Sequence, residues 1–238
     1  MRRLLAAVVG AGMLPGTVWA QASKTPVDSK PAGGMARVTF QYERAGLTVP
    51  RFRMVVNEDG SGSYEADEIP SAESSGGAQG QGPGAVAHVE RALTISPGMT
   101  AKIFKVARAE RFFQATCASK AKHIADTGTK TLSYEGPDGK GSCVYNYTED
   151  KGVSSMTDVF LGISQTLEEG RRLEFKRRYD RLGLDAELDA LTKENDSERA
   201  VELGTISSTL RQLAGDADLM QRVRWRASKL LERAGEGR

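Results

Sequence analysis

Histidine is nearly missing from this chain, which has only His88 and His123 among 238 residues. A protein zinc site needs three or four converging ligands, each steadied by hydrogen bonds behind it. His88-Val89-Glu90 offers two ligands from one strand face, and His123-Ile124-Ala125-Asp126 two from one turn. Neither pair completes a site, so no metal and no cofactor is expected. The Gly-x-Ser-x-Gly nucleophile elbow is also lacking. Many serines fall in the Ser/Gly-rich stretch 71–84, a poor place to preorganise a nucleophile. No catalytic residue is assigned.

Charge of one sign is lacking too. The formal charge is +2, and without Arg2 and Arg3 it is 0. Residues 23–150 carry 15 basic and 15 acidic side chains, and residues 151–238 carry 16 of each. Duplex-binding and membrane-surface proteins concentrate positive charge instead, so nucleic acid is excluded as an expected partner. Long apolar runs are absent. The most apolar stretch, Leu4 to Leu14, falls short of the roughly 20 residues that span a bilayer, and no transmembrane segment is expected in the mature chain.

Cysteine occurs twice, at Cys117 and Cys143. Met1-Arg2-Arg3, the apolar run and the small residues Val18, Ala20 and Ala22 have the layout of a secretory signal peptide over 1–22. Such a chain is bound for an oxidising space, periplasmic or external, where a Cys117–Cys143 disulfide is the economical reading. It would close a loop of about 26 residues and contribute about 3 kcal/mol. Two free buried thiols are the alternative. The spacing is not Cys-x-x-Cys, which argues against a catalytic thiol.

A flexible leader is expected over 23–35, and order from residue 36. Val38, Phe40 and Tyr42 alternate with polar residues, as do Phe52, Met54 and Val56, so each set forms the apolar face of a strand. Asn57-Glu58-Asp59-Gly60 is the turn into a return strand through Tyr64 and Ala66. A mobile loop is expected at 71–84, then a strand through Val89 and Leu93. Ser96-Pro97 reads as the N-cap and first residue of a helix carrying Ile103, Phe104 and Ala107. A second hairpin turns at Gly136 to Gly141, and its return strand places Cys143, Tyr145 and Tyr147 on one face.

From Ser154 the period changes to that of helices. Met156, Val159, Phe160, Ile163 and Leu167 make one stripe, with Ser155 and Asp158 as a capping box. Asp185, Asp196 and Asp216 are placed to cap further helices, and Gly183 and Gly215 to end them. The neighbouring acids Asp67-Glu68 and Glu168-Glu169 read as solvated. So does the basic run Arg171, Arg172, Lys176, Arg177, Arg178 and Arg181, whose interleaved acids suggest ion pairs within the helix.

The expected fold is α+β: a small antiparallel sheet with a packed helix over 36–150, then an all-helical module over 154–234. Arg222-Val223-Arg224-Trp225-Arg226-Ala227 resembles the second helix of a HEAT-type repeat across residues 216–234. That resemblance implies stacked helices with one face left for partners. Trp225, among Arg222, Arg224 and Arg226, is then either an interface anchor or a partly buried core residue. The layout of residues 37–170, with its Asp59-Gly60 to Tyr64 hairpin, resembles exported bacterial proteins of unknown function. The expected role is a non-enzymatic binding or scaffolding protein whose partner is another envelope or secreted protein. The alternative is a hydrolase or small-ligand protein with a site between the two parts, lined by His123, Asp126, Tyr134, Tyr145 and Tyr147.

Overall fold

A computed structural model describes residues 34–69 and 86–236. The expected signal peptide, nearly all of the leader and the 71–84 loop lie outside them.

The alternating residues build six strands: β1 (Arg37–Glu43), β2 (Arg51–Asn57), β3 (Ser61–Glu68), β4 (Ala87–Thr94), β5 (Thr129–Gly136) and β6 (Gly139–Tyr145). They form one antiparallel sheet in the order β4-β3-β2-β1-β5-β6. In register, Phe40 faces Met54 and Leu132, and Met54 faces Tyr64. Period-two geometry therefore gathers these side chains on one face, where all four are buried. The β2–β3 turn depends on Gly60. Its φ is +85°, and a Cβ there would lie 2.8 Å from the Ile95 carbonyl oxygen.

Helix α1 (Pro97–Ala109) starts where the sequence places it: Met99 N–H donates to Ser96 Oγ at 3.3 Å. Ser96 in turn donates its hydroxyl to Glu202 at 2.7 Å. Beyond α1, Arg111, Phe112 and Phe113 all take positive φ. This left-handed turn buries Phe113 in the core and lays Phe112 over the second hairpin, 4.8 Å from the Tyr134 ring. A Cβ on Gly139 would lie 2.3 Å from the Phe112 ring, so that close approach requires glycine. The same segment carries Cys117 to Cys143, and a disulfide joins them with Cα atoms 5.8 Å apart. The hairpin turn is shorter than the sequence suggests. Gly136 already pairs with Gly139, leaving Pro137-Asp138 as the loop.

Four further helices follow: α2 (Lys151–Tyr179), α3 (Leu184–Asp196), α4 (Ser207–Gly215) and α5 (Gln221–Glu236). The α+β fold class and the helical C-terminal part are thus as expected. The capping is not. Asp150, rather than the Ser155/Asp158 pair, caps α2 by accepting from Val153 N–H at 2.9 Å. Asp185 lies inside the first turn of α3, Asp196 is that helix's last residue, and Asp216 follows the end of α4. Gly183 precedes α3, and the stop before it belongs to Asp180, whose carboxylate accepts from Gly183 N–H at 3.0 Å.

Helix α2 runs across the apolar face of the sheet. Thr157, Phe160 and Ser164, three and four residues apart, meet Tyr145, Phe40 and Tyr64. The Phe40 and Phe160 rings stack at 5.0 Å, a contact worth about 1 kcal/mol beyond the apolar area it buries. Further along, Leu167 and Leu173 continue a buried core that includes Leu184, Leu188, Leu210, Val223 and Leu230. The sequence suggests a change of part near residue 154. There the core passes without a break from sheet to helices, and α2 belongs to both.

Candidate functional site

Helix α5 buries Val223, Ala227 and Leu230 at i, i+4 and i+7 and turns its other side outward. Trp225 is on that outer side and 59% exposed, so it is not a core residue. Its indole N–H has no partner among the described residues. Two of the three arginines around it are tied down. Arg222 Nε lies 3.3 Å from Asp185 Oδ2, Arg226 Nε donates to Asp185 Oδ1 at 3.1 Å, and Arg226 Nη1 donates to Asp189 at 2.7 Å. Arg224 is half-buried, and its Nε has no hydrogen-bond partner among the described residues.

Two helices therefore meet through matching four-residue steps, Asp185/Asp189 on α3 and Arg222/Arg226 on α5. Lys193 and then Arg226 hold the Asp189 carboxyl below its usual range. The result is a large exposed aromatic on a helix where Arg222 and Arg226 already have fixed partners. Trp and Arg dominate binding hot spots because they bring large contact areas into a preformed geometry. Leu182, just before α3, is 81% exposed. In the sequence Asp185 reads as a helix cap and Asp189 carries no role. The i, i+4 match of acids and arginines was the available signal.

The residues expected to line a polar pocket are not brought together. Tyr145 is buried and its hydroxyl lies 2.6 Å from Thr157 Oγ1. Tyr134 is buried and donates its hydroxyl to Asp138. Burial pushes both phenols up to about 12. Tyr147 does not share the buried face of Cys143 and Tyr145; it lies beyond β6 and is 48% exposed. His123 is exposed at a positive φ, and Asp126 accepts from Gly128 N–H at 2.9 Å.

The other histidine belongs to the open face of the sheet, opposite the helices. His88 Nδ1 lies 3.0 Å from Asp67, which also accepts from Arg51 Nε at 2.9 Å. These three are consecutive partners across β4, β3 and β2 and line a shallow groove of about 280 Å³. Among the described residues no group of three or more His, Cys, Asp or Glu side chains is arranged to hold a metal ion.

The acids read as solvated are largely buried. Glu68 and Glu169 are 7% and 2% exposed. Arg172 binds Glu169 within α2, and its Nε lies 3.0 Å from Glu187 of α3. Arg171 Nε lies 3.0 Å from Glu68 of β3. The basic run thus finds most of its partners on other elements, and the ion pairs fasten α2 to the sheet and to α3. Among the described residues no helix is long and apolar enough to cross a membrane.

No protein-family model matches this chain, and no curated protein sequence matches it.

Proposed function

We propose that this is a non-enzymatic binding or scaffolding protein of the bacterial envelope or exterior, periplasmic or secreted, holding another envelope or secreted protein through the Trp225 face of α5. The exposure of Trp225 between fixed arginines carries the reading. The disulfide supports the address, because such bonds persist in oxidising compartments. The balanced charge disfavours nucleic acid as the partner. Of the tyrosines of the alternative, enzymatic reading, Tyr134 and Tyr145 are buried and already hydrogen-bonded to Asp138 and Thr157, while Tyr147 is exposed beyond β6.

Cross-linked capture of the tagged, exported protein from its own cells tests this. A stoichiometric partner that survives salt and disappears with Trp225→Ala is the expected result. A solitary protein, or a partner retained in full by Trp225→Ala, overturns it.

A further inference from the structure

The six cations between Arg171 and Arg181 divide into two groups. Arg171, Arg172, Lys176 and Arg177 each lie within 4.0 Å of a carboxylate, on Glu68, Glu169 and Glu187, Asp180 and Glu187, and Asp216 respectively. Arg178 has no hydrogen-bond or ion-pair partner among the described residues. Arg181 donates only to the Arg177 carbonyl oxygen, at 3.4 Å, and acts on Asp216 through space.

These two and Arg177 line a cleft of about 380 Å³ between the end of α2 and α4, closed by Glu174, Thr209 and Gln212. The one carboxylate in the lining is occupied. Glu174 accepts from Thr209 Oγ1 at 2.8 Å and lies 3.9 Å from Arg91. Gln212 accepts from Arg177 Nη1 at 2.5 Å and fixes that guanidinium in place. The cleft therefore presents three guanidinium groups, two of them without acids, in the donor geometry that suits phosphate oxygens.

Next in sequence to Arg178 and to Arg181 stands an exposed apolar side chain. Tyr179 is 63% exposed and Leu182 81%. A free phosphate ion would use the arginines and leave both apolar groups in water. A phospholipid surface uses all four: phosphates meet the arginines, while the aromatic and the leucine enter the boundary between headgroups and acyl chains. The geometry points to this corner, Arg177 to Leu182, as a docking site for an anionic phospholipid surface, separate from the Trp225 reading.

Co-sedimentation of the purified protein with phosphatidylcholine vesicles, with and without phosphatidylglycerol, tests the proposal. Binding should require phosphatidylglycerol and weaken with salt. Each basic group near an anionic surface is worth about fivefold in affinity, so Arg178→Gln/Arg181→Gln should lose about thirtyfold. Lys102→Gln/Lys105→Gln removes the same charge from exposed positions on α1 and should change little. Leu182→Ser should also weaken binding. The proposal falls if phosphatidylglycerol adds nothing, or if the α1 control loses as much as the arginine variant. It falls equally if Leu182→Ser binds as wild type while inorganic phosphate competes fully, which would assign the cleft to the free ion. Loss of capture with Trp225→Ala bears on the partner reading alone, so the two stand or fall separately.

Discussion

Tyr64 and Ser164, one hundred residues apart in the chain, meet hydroxyl to hydroxyl at 3.0 Å beneath the sheet. Both are buried, so each hydroxyl depends on the other. Burial raises the Tyr64 phenol well above its usual range, and the bond to Ser164 only partly offsets this. Ser164→Ala leaves the tyrosine hydroxyl unpaired in an apolar setting and should cost about 1–3 kcal/mol in chemical denaturation. Tyr64→Phe/Ser164→Ala removes both partners and should recover part of that loss. A double variant as unstable as the sum of the two singles would show that the pair does not fasten α2 to the sheet.

The half-buried Glu168 makes a pH prediction with a definite sign. Burial raises its carboxyl above 4.5, against the pull of Arg172 and Arg171. A carboxyl raised in the folded state binds more protons there than in the unfolded chain. It therefore favours folding most below about pH 4.5, and this contribution is lost as pH climbs through the folded value. Glu168→Gln keeps the shape without the charge. Relative to wild type, its melting temperature should rise between pH 4.5 and 7 and approach a plateau. A constant difference across that range would mean that Glu168 titrates as an exposed acid.

The disulfide links the segment after α1 to β6, across a sequence separation of 26 residues. Cys117→Ser/Cys143→Ser should lose about 3 kcal/mol, or about 6–12 °C of melting temperature for a fold of this size. Wild type measured in reductant should fall to the same value. If the reduced and oxidised proteins melt together, the restriction of the unfolded chain contributes nothing here.

Strands were legible in the sequence because one face of the sheet is buried and the other open. Phe52, Met54 and Val56 stand out against Arg51 and Arg53 for that reason. Tyr147 broke the same rule, since alternation cannot tell where β6 stops. The sequence places the start of α2 too late because Lys151 and Gly152 bring no apolar signal, and only Asp150 marks the cap. Charged residues misled most. Glu168, Arg171 and Arg172 have the spacing of a solvated helix, and nothing local shows that Glu68 and Glu187 arrive from other elements to bury them. Aspartates have a similar ambiguity: Asp185 looks like a cap, yet it is the ion-pair partner of two arginines of α5.

That double role of Asp185 separates holding the candidate site from being it. Arg222 is exposed and Arg226 less so, and pairs of this kind contribute about 0–1 kcal/mol each. Asp185→Ala should therefore change stability little while releasing Arg222 and leaving Arg226 held by Asp189 alone. Partner affinity should fall, by less than with Trp225→Ala, because the anchor remains while its surroundings are less firmly held. Trp225→Ala should itself leave the melting temperature nearly unchanged, as exposed substitutions do. Binding and denaturation measured on the same two variants decide the matter. Should Asp185→Ala unfold the helices while Trp225→Ala leaves binding intact, the arginine–aspartate ladder between α3 and α5 would be structural, and the partner surface would have to lie elsewhere.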